Sequence, residues 1–265
     1  MAHLEAWGGP AGSLAIVRDV LGLAHANRHT ADRIATALLG SDPRFARTID
    51  GRWTLVAPVG SSPSLASCRF AVVDVETTGV RARRGDRIIE IAVVIDGNVA
   101  FHSLVNPGFP ISPFVGSLTG ITDGMLREAP PFDAVVDGLL DALRGTVFVA
   151  HNARFDWAFV SAEVTRARGL LLQGPRVCTM RLARRLLPDL PRRNLDTVSY
   201  HFGITIEGRH RAVGDAVAAA RVLGRLVGMA RDRGAVTLAD LLGIGSRVPG
   251  TGSAPPDTRD PIPGT

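Results

Sequence analysis

Phe70-Ala71-Val72-Val73-Asp74-Val75-Glu76-Thr77-Thr78-Gly79 is the stretch from which the fold is read. Its first six residues form an apolar strand, broken only by Asp74. Side chains alternate along a strand, so Asp74 and Glu76 point to one face at its end. Two like charges on one face repel, and burying them is costly unless cations compensate. Mg²⁺ and Mn²⁺ favour such oxygen ligands. The competing reading is that the pair simply marks where the strand leaves the core.

Outward from this strand the chain alternates. Arg87–Ile95 and Val99–Val105 read as further strands, with Asp96-Gly97 turning the chain between them. Phe132, Val135, Val136, Leu139, Leu140 and Leu143 follow helical spacing. Thr146–Ala150 is a short buried strand, followed by a helix over Ala153–Arg168, two shorter helices, and a long one over Arg211–Ala230. A strand hairpin followed by strand–helix alternation predicts a mixed α/β sheet with helices on both faces.

Upstream, Leu14, Val17, Leu21 and Leu23 lie roughly on one helical face. Thr30 is placed to cap a second amphipathic stretch containing Ile34, Leu38 and Leu39. Asp50-Gly51, between Phe45 and Trp53, Leu55 and Val56, predicts a β-hairpin. Two helices and a hairpin resemble a small winged-helix module; the alternative is an extension that packs on the main domain. Ala57–Ser67 is rich in Pro, Ser and Gly and reads as a linker. The expected division is 1–57 winged-helix-like, 58–68 linker, 69–232 main domain, and 233–265 a short helix and disordered tail.

Two further motifs carry acidic groups. In His151-Asn152-Ala153-Arg154-Phe155-Asp156, Asn152 is placed to cap the following helix and Asp156 falls in its first turn. The helix dipole favours a carboxylate there even without metal. In Gly208-Arg209-His210-Arg211-Ala212-Val213-Gly214-Asp215, the aspartate shares a stripe with Ala212, Ala219, Val222 and Leu226. A carboxylate on an apolar stripe needs a partner, and a metal is one. His210 just precedes that helix, either beside Asp215 or as a surface or capping residue.

Asp-x-Glu on a strand, Asn-x-x-x-Asp at a helix start and His-x-x-x-x-Asp on a late helix together resemble the DEDDh class of DnaQ-like 3′–5′ exonucleases. The proofreading subunit of bacterial replicative polymerase belongs to that family. The resemblance covers roughly residues 69–231 and extends to Leu118-Thr119-Gly120-Ile121-Thr122, similar to the family's nucleotide-contacting stretch. It implies an RNase H-like mixed five-stranded sheet. It also implies that Asp74, Glu76, Asp156 and Asp215 hold two divalent ions, Mg²⁺ or Mn²⁺, with His210 as general base and His151 in a structural position. Thr77, Thr78, Gly79, Thr119, Ile121, Asn152 and Phe155 become candidate substrate contacts, although Phe155 reads equally well as a core residue. The implied partner is a single-stranded 3′ end of nucleic acid, DNA favoured over RNA, with duplex or protein contact through the N-terminal segment. An exoribonuclease acting on short RNA and a non-catalytic binding module are the alternatives. Retention of all five chemical positions argues against the second.

Bulk composition is compatible with this. Apolar residues make up 46% of the 265, ordinary for a globular protein. No run of 18 uncharged apolar residues exists to span a membrane. Two cysteines, Cys68 and Cys178, suggest no disulfide framework, and the expected compartment is the cytoplasm. All 30 basic residues are arginine. That fits bidentate phosphate recognition, but equally a bias in base composition. Two groups stand beside the motifs and read as phosphate contacts: Arg81, Arg83, Arg84 and Arg87, and Arg181, Arg184, Arg185, Arg192 and Arg193.

Overall fold

The computed structural model describes residues 11–40, 42, 45–47, 51–55 and 62–243. At the N-terminal end, α1 (Ser13–Leu21) and α2 (Arg28–Leu39) precede an antiparallel pair, β1 (Phe45–Arg47) and β2 (Trp53–Leu55). Ala11, Ile16, Ala35 and Trp53 form their shared core. The helix, helix, hairpin order is as expected, but two details differ. Val17 is buried while Leu14, Leu21 and Leu23 are exposed, because α1 turns Ser13, Ile16 and Val17 inward. Asn27, not Thr30, caps α2: its side chain accepts from the Thr30 N–H at 2.9 Å. Asp50 of the expected turn lies outside the described residues.

The main domain is a five-stranded sheet in the order β5-β4-β3-β6-β7. Its strands are β3 (Phe70–Thr77), β4 (Ile88–Ile95), β5 (Asn98–Leu104), β6 (Val147–Ala150) and β7 (Arg176–Cys178). β3, β4 and β5 pair antiparallel, and β6 and β7 add in parallel beside β3. The three-residue β7 carries too short a pattern to be read from sequence. Helices α3 (Pro113–Thr119) and α4 (Asp123–Glu128) likewise lie in a stretch without clear periodicity.

Alternation in β3 divides the core. Ala71, Val73 and Val75 pack with α5 (Phe132–Leu143) and α6 (Ala153–Arg168) on one face. Val72 packs on the other, with α7 (Thr179–Leu186), α8 (Leu195–His201) and the long α9 (Ala212–Asp232). Asp74 and Glu76 continue the Val72 series, so both carboxylates emerge on the α9 side.

Part of the linker stretch is not free. Leu65 is buried, its N–H donates to the Val236 carbonyl, and Pro63 accepts from the Leu238 N–H, each at 2.9 Å. Residues 62–67 are thereby tied to α10 (Leu238–Leu242), the short helix expected near the C-terminal end. Positions 58–61 and the tail from Gly245 lie outside the described residues. Among the described residues, no helix is long and apolar enough to cross a membrane.

Candidate active site

The site forms where the C-terminal ends of β3 and β6 meet the starts of α6 and α9. In the β3–β4 register Asp74 faces Ala92 and Glu76 faces Glu90, and the pairing slips just after Glu76. β6 ends at Ala150, and the chain turns through His151 and Asn152 into α6, whose first turn carries Asp156. Asp215 occupies the first turn of α9. Both aspartates are only 4% exposed. Ligand-type atoms of Glu76, His210 and Asp215 lie within 4.8 Å of one another.

Electrostatics unite the four acids. Burial pushes the Asp74 carboxyl well above the usual range, and repulsion from Asp156, Asp215 and Glu76 adds to it. Burial, then Asp215 and Glu90, lifts Glu76 to about 7. Burial raises Asp156 to about 8 against backbone N–H groups that favour its anion. Burial also raises Asp215, although Arg209 and the His210 N–H oppose the shift. Packed carboxylates that resist ionisation are short of positive charge. Asp215 Oδ1 is moreover buried with no hydrogen-bond partner among the described residues. An orphaned acceptor within a carboxylate cluster fits a hard divalent cation, with Asp74, Glu76, Asp156 and Asp215 as the donor set.

The two histidines separate clearly. His151 is locked: Nδ1 lies 2.8 Å from Thr179 Oγ1 and Nε2 lies 2.8 Å from the Arg193 carbonyl oxygen. That carbonyl can only accept, so Nε2 carries the proton and Nδ1 takes the threonine hydroxyl. Burial depresses its pKa, which keeps the ring neutral. His210 instead sits at the cluster with a left-handed backbone (φ 61°), and its N–H donates to Asp215 Oδ2 at 3.3 Å. Such a φ is uncommon for a residue with a Cβ and is held by its surroundings.

The candidate substrate contacts divide. Asn152 and Phe155 line a cleft of about 250 Å³ together with Val80, Arg154 and Phe159. Asn152 stands at the helix start, but its side chain makes no capping bond. Its backbone is left-handed (φ 89°) rather than extended, so the amide is not aimed at the first-turn N–H groups. Thr77 Oγ1 donates to the Gly79 carbonyl at 2.6 Å, and Thr78 Oγ1 accepts from the Arg87 N–H at 2.9 Å, both bracing the loop. Gly79 meets the Asp86 carboxylate where a Cβ would stand, so it permits a close approach. Thr119 and Ile121 depart from expectation. Ile121 is fully buried in a cluster with Ile89, Val115 and Leu126. The Thr119 hydroxyl is spent on the Val115 carbonyl and the Ile121 N–H. Their side chains present no surface to a ligand.

Several arginines read as phosphate contacts have structural work. Arg87 pairs with buried Glu163 at 2.7 and 3.0 Å. Arg185 donates to the Leu241 carbonyl, and Arg193 to those of Leu187 and Pro188. Arg81, Arg84, Arg181, Arg184 and Arg192 remain exposed, while the Arg83 side chain lies outside the described residues.

Arg209, Glu90 and Arg211 stand beside the site with roles the sequence did not announce. Arg209 bridges Asp215 Oδ2 and the Asp196 carboxylate, the latter at 2.7 and 3.1 Å. Buried Glu90 accepts from Arg211, His102 and the Ala212 N–H. Burial opposes its ionisation, but these donors outweigh burial and hold Glu90 below the usual range. A glutamate within the apolar run Ile88-Ile89-Glu90-Ile91-Ala92 was the available signal.

Comparison with known proteins decides the family. Residues 71–223, more than half of the chain, match the family model described as Exonuclease, RNase_T. The chain belongs to this exonuclease family. Members depend on divalent metal. This chain is 34% identical over 186 residues to a PolC-type DNA polymerase III of Caldanaerobacter subterraneus subsp. tengcongensis. That match covers 69% of this chain and 13% of the relative, so the chain spans about an eighth of the length of that relative. Among solved structures it resembles exonuclease X in complex with 5′-overhanging duplex DNA, at 28% identity and a TM-score of 0.51, covering 66% of this chain and 99% of that one. The nuclease domain of 3′hExo, a DEDDh family member bound to rAMP, shares the fold at 21% identity and a TM-score of 0.52, covering 60% of this chain and 92% of that one.

Proposed function

We propose that this protein is a metal-dependent 3′–5′ exonuclease that hydrolyses DNA ends to nucleoside 5′-monophosphates, in repair or proofreading. One observation carries the proposal: Glu76, His210 and Asp215 gather within 4.8 Å, one Asp215 oxygen is buried without a partner among the described residues, and Asp74 and Asp156 are close enough to repel this cluster. Asp74, Glu76, Asp156 and Asp215 would hold two Mg²⁺ or Mn²⁺ ions. Bound there, such ions supply a nucleophile at neutral pH and charge stabilisation for an in-line phosphoryl displacement. His210 takes the proton of the attacking water. His151 is engaged at both ring nitrogens and serves to hold the start of α6. Asn152 and Phe155, lining the cleft beside Val80, receive the terminal nucleotide, and Thr77, Thr78 and Gly79 brace the adjoining loop.

Similarity to a PolC-type DNA polymerase III and to exonuclease X in complex with duplex DNA favours DNA over RNA. Residues 1–57 are read as a separate winged-helix-like unit that engages duplex beside the digested strand. An open concavity of about 1230 Å³, lined by Arg28, His29 and Arg33 among others, supports that role through attraction to phosphates. The test is nucleotide release from 3′-labelled DNA and RNA strands of equal sequence, with Mg²⁺, Mn²⁺ or chelator. Faster release from DNA that requires metal is expected. Preference for RNA would move the assignment to RNA turnover, and metal-independent release would overturn the mechanism.

A further inference from the structure

Glu90 is the third residue of β4, directly across from Glu76, and is fully buried. Unlike Asp215, it has no idle oxygen. Oε1 accepts from Arg211 Nη2 at 2.8 Å and faces His102 Nε2 at 2.8 Å. Oε2 accepts from Arg211 Nε at 2.9 Å and from the Ala212 N–H at 3.0 Å. A carboxylate so occupied is a poor metal ligand and a firm anchor.

What it anchors is the turn carrying His210. Arg211 is the N-cap residue of α9 and Ala212 its first helical residue, so Glu90 supplies the acceptor that the helix start otherwise lacks. On the other side, the Glu207 and Gly208 carbonyls press so closely on Gly214 that no Cβ fits there. The His210 N–H is meanwhile held by Asp215. A residue with a Cβ stays left-handed only when its neighbours over-determine it. Here Gly214 and Asp215 hold one side of the turn, and the Glu90–Arg211 pair holds the other.

We propose that Glu90 and Arg211 are positioning residues that fix His210 at the carboxylate cluster, acting on turnover through His210 rather than by binding metal or phosphate. This rests on the exonuclease reading and on His210 as its base.

The test is a double-mutant cycle in the full chain on a 3′-labelled DNA strand with saturating Mn²⁺. Arg211→Lys and Glu90→Gln are each made alone and together with His210→Ala, with thermal melting to confirm folding. Alone, each should lower kcat by about 10–10²-fold while leaving KM and the Mn²⁺ dissociation constant within about twofold. In the His210→Ala background the same substitutions should change kcat by less than about twofold, since their effect is already lost. Equal losses in both backgrounds overturn the proposal, as does an unaffected kcat. A raised KM would make Arg211 a phosphate contact, and weakened Mn²⁺ binding would make Glu90 a ligand; either also overturns it. Arg211→Lys keeps the charge, so the cycle stands even if Glu90→Gln does not fold. An unsubstituted chain without nuclease activity overturns the exonuclease reading and this proposal with it; activity with additive losses overturns the proposal alone.

Discussion

Arg209 donates to Oδ2 of Asp215, while the other oxygen of that carboxylate is buried without a partner among the described residues. Oδ2 thus takes both the Arg209 guanidinium and the His210 N–H, and Oδ1 is left for another partner. Arg209 also donates to both oxygens of Asp196, and its Nη1 lies 3.3 Å from His210 Nδ1. A single guanidinium cannot balance four gathered acids, and this imbalance has consequences for stability.

Metal-free protein should lose stability as pH rises from about 4 to about 8. Glu76 keeps its proton to about 7 and Asp156 to about 8 in the fold, against about 4 for both in the unfolded chain. The folded state therefore binds more protons than the unfolded one across that window, which makes the slope of stability with pH negative. Divalent metal binds the ionised cluster and should stabilise most at the alkaline end. Melting curves in chelator and in Mn²⁺ between about pH 5 and about 8.5, a range that contains both shifted groups, would check this. A chelated protein that grows more stable toward pH 8 would contradict it.

Asp74→Asn should abolish cleavage and raise the melting temperature of the metal-free protein. The amide keeps the shape but cannot ionise, so it removes a carboxyl whose ionisation burial, Asp156, Asp215 and Glu76 all oppose. Activity should fall by about 10²–10³-fold or more, as expected when a charge-stabilising group leaves the transition state. Retained activity in the purified variant would remove Asp74 from the metal site.

His210→Ala and His151→Ala should fail differently. Loss of His210 should lower kcat by about 10²–10⁴-fold with metal affinity largely kept, since a general base is removed and no ligand is lost. His151→Ala leaves the Arg193 carbonyl and the Thr179 hydroxyl without their ring partner, a cost of about 1–3 kcal/mol for each buried group left unsatisfied. Its signature should be a lowered melting temperature with kcat less affected. The reverse pattern would exchange the two assignments.

Truncation should be sensitive to where it ends. Removing residues 1–61 keeps Leu65 and the bonds that Ser62 and Pro63 accept from the Ala239 and Leu238 N–H groups, so turnover on short single strands should persist. Removing residues 1–67 empties the Leu65 site, and the melting temperature should fall by about 5–15 °C relative to the shorter deletion. Equal melting temperatures would show that the Ser62–Ser67 segment contributes nothing.

Much of this protein is local and therefore legible in its sequence. The alternation of Phe70–Glu76 determines which acids share a face, because the period of a strand is a property of the backbone alone. The same holds for the Ala153–Arg168 helix and for the three acidic motifs that identify the family. Tertiary structure decided what depends on residues meeting across the fold. The pairing of Glu90 with Arg211 joins positions 121 apart, and that of Arg87 with Glu163 joins positions 76 apart. No local pattern announces such partners. Burial enclosed the Thr119 and Ile121 side chains, and packing placed His210 beside Glu76 and Asp215 while His151 turned to Thr179 and Arg193. Local spacing states which groups are available, and only the assembled sheet, with α6 and α9 against it, determines which of them share a volume small enough to shift one another's protons.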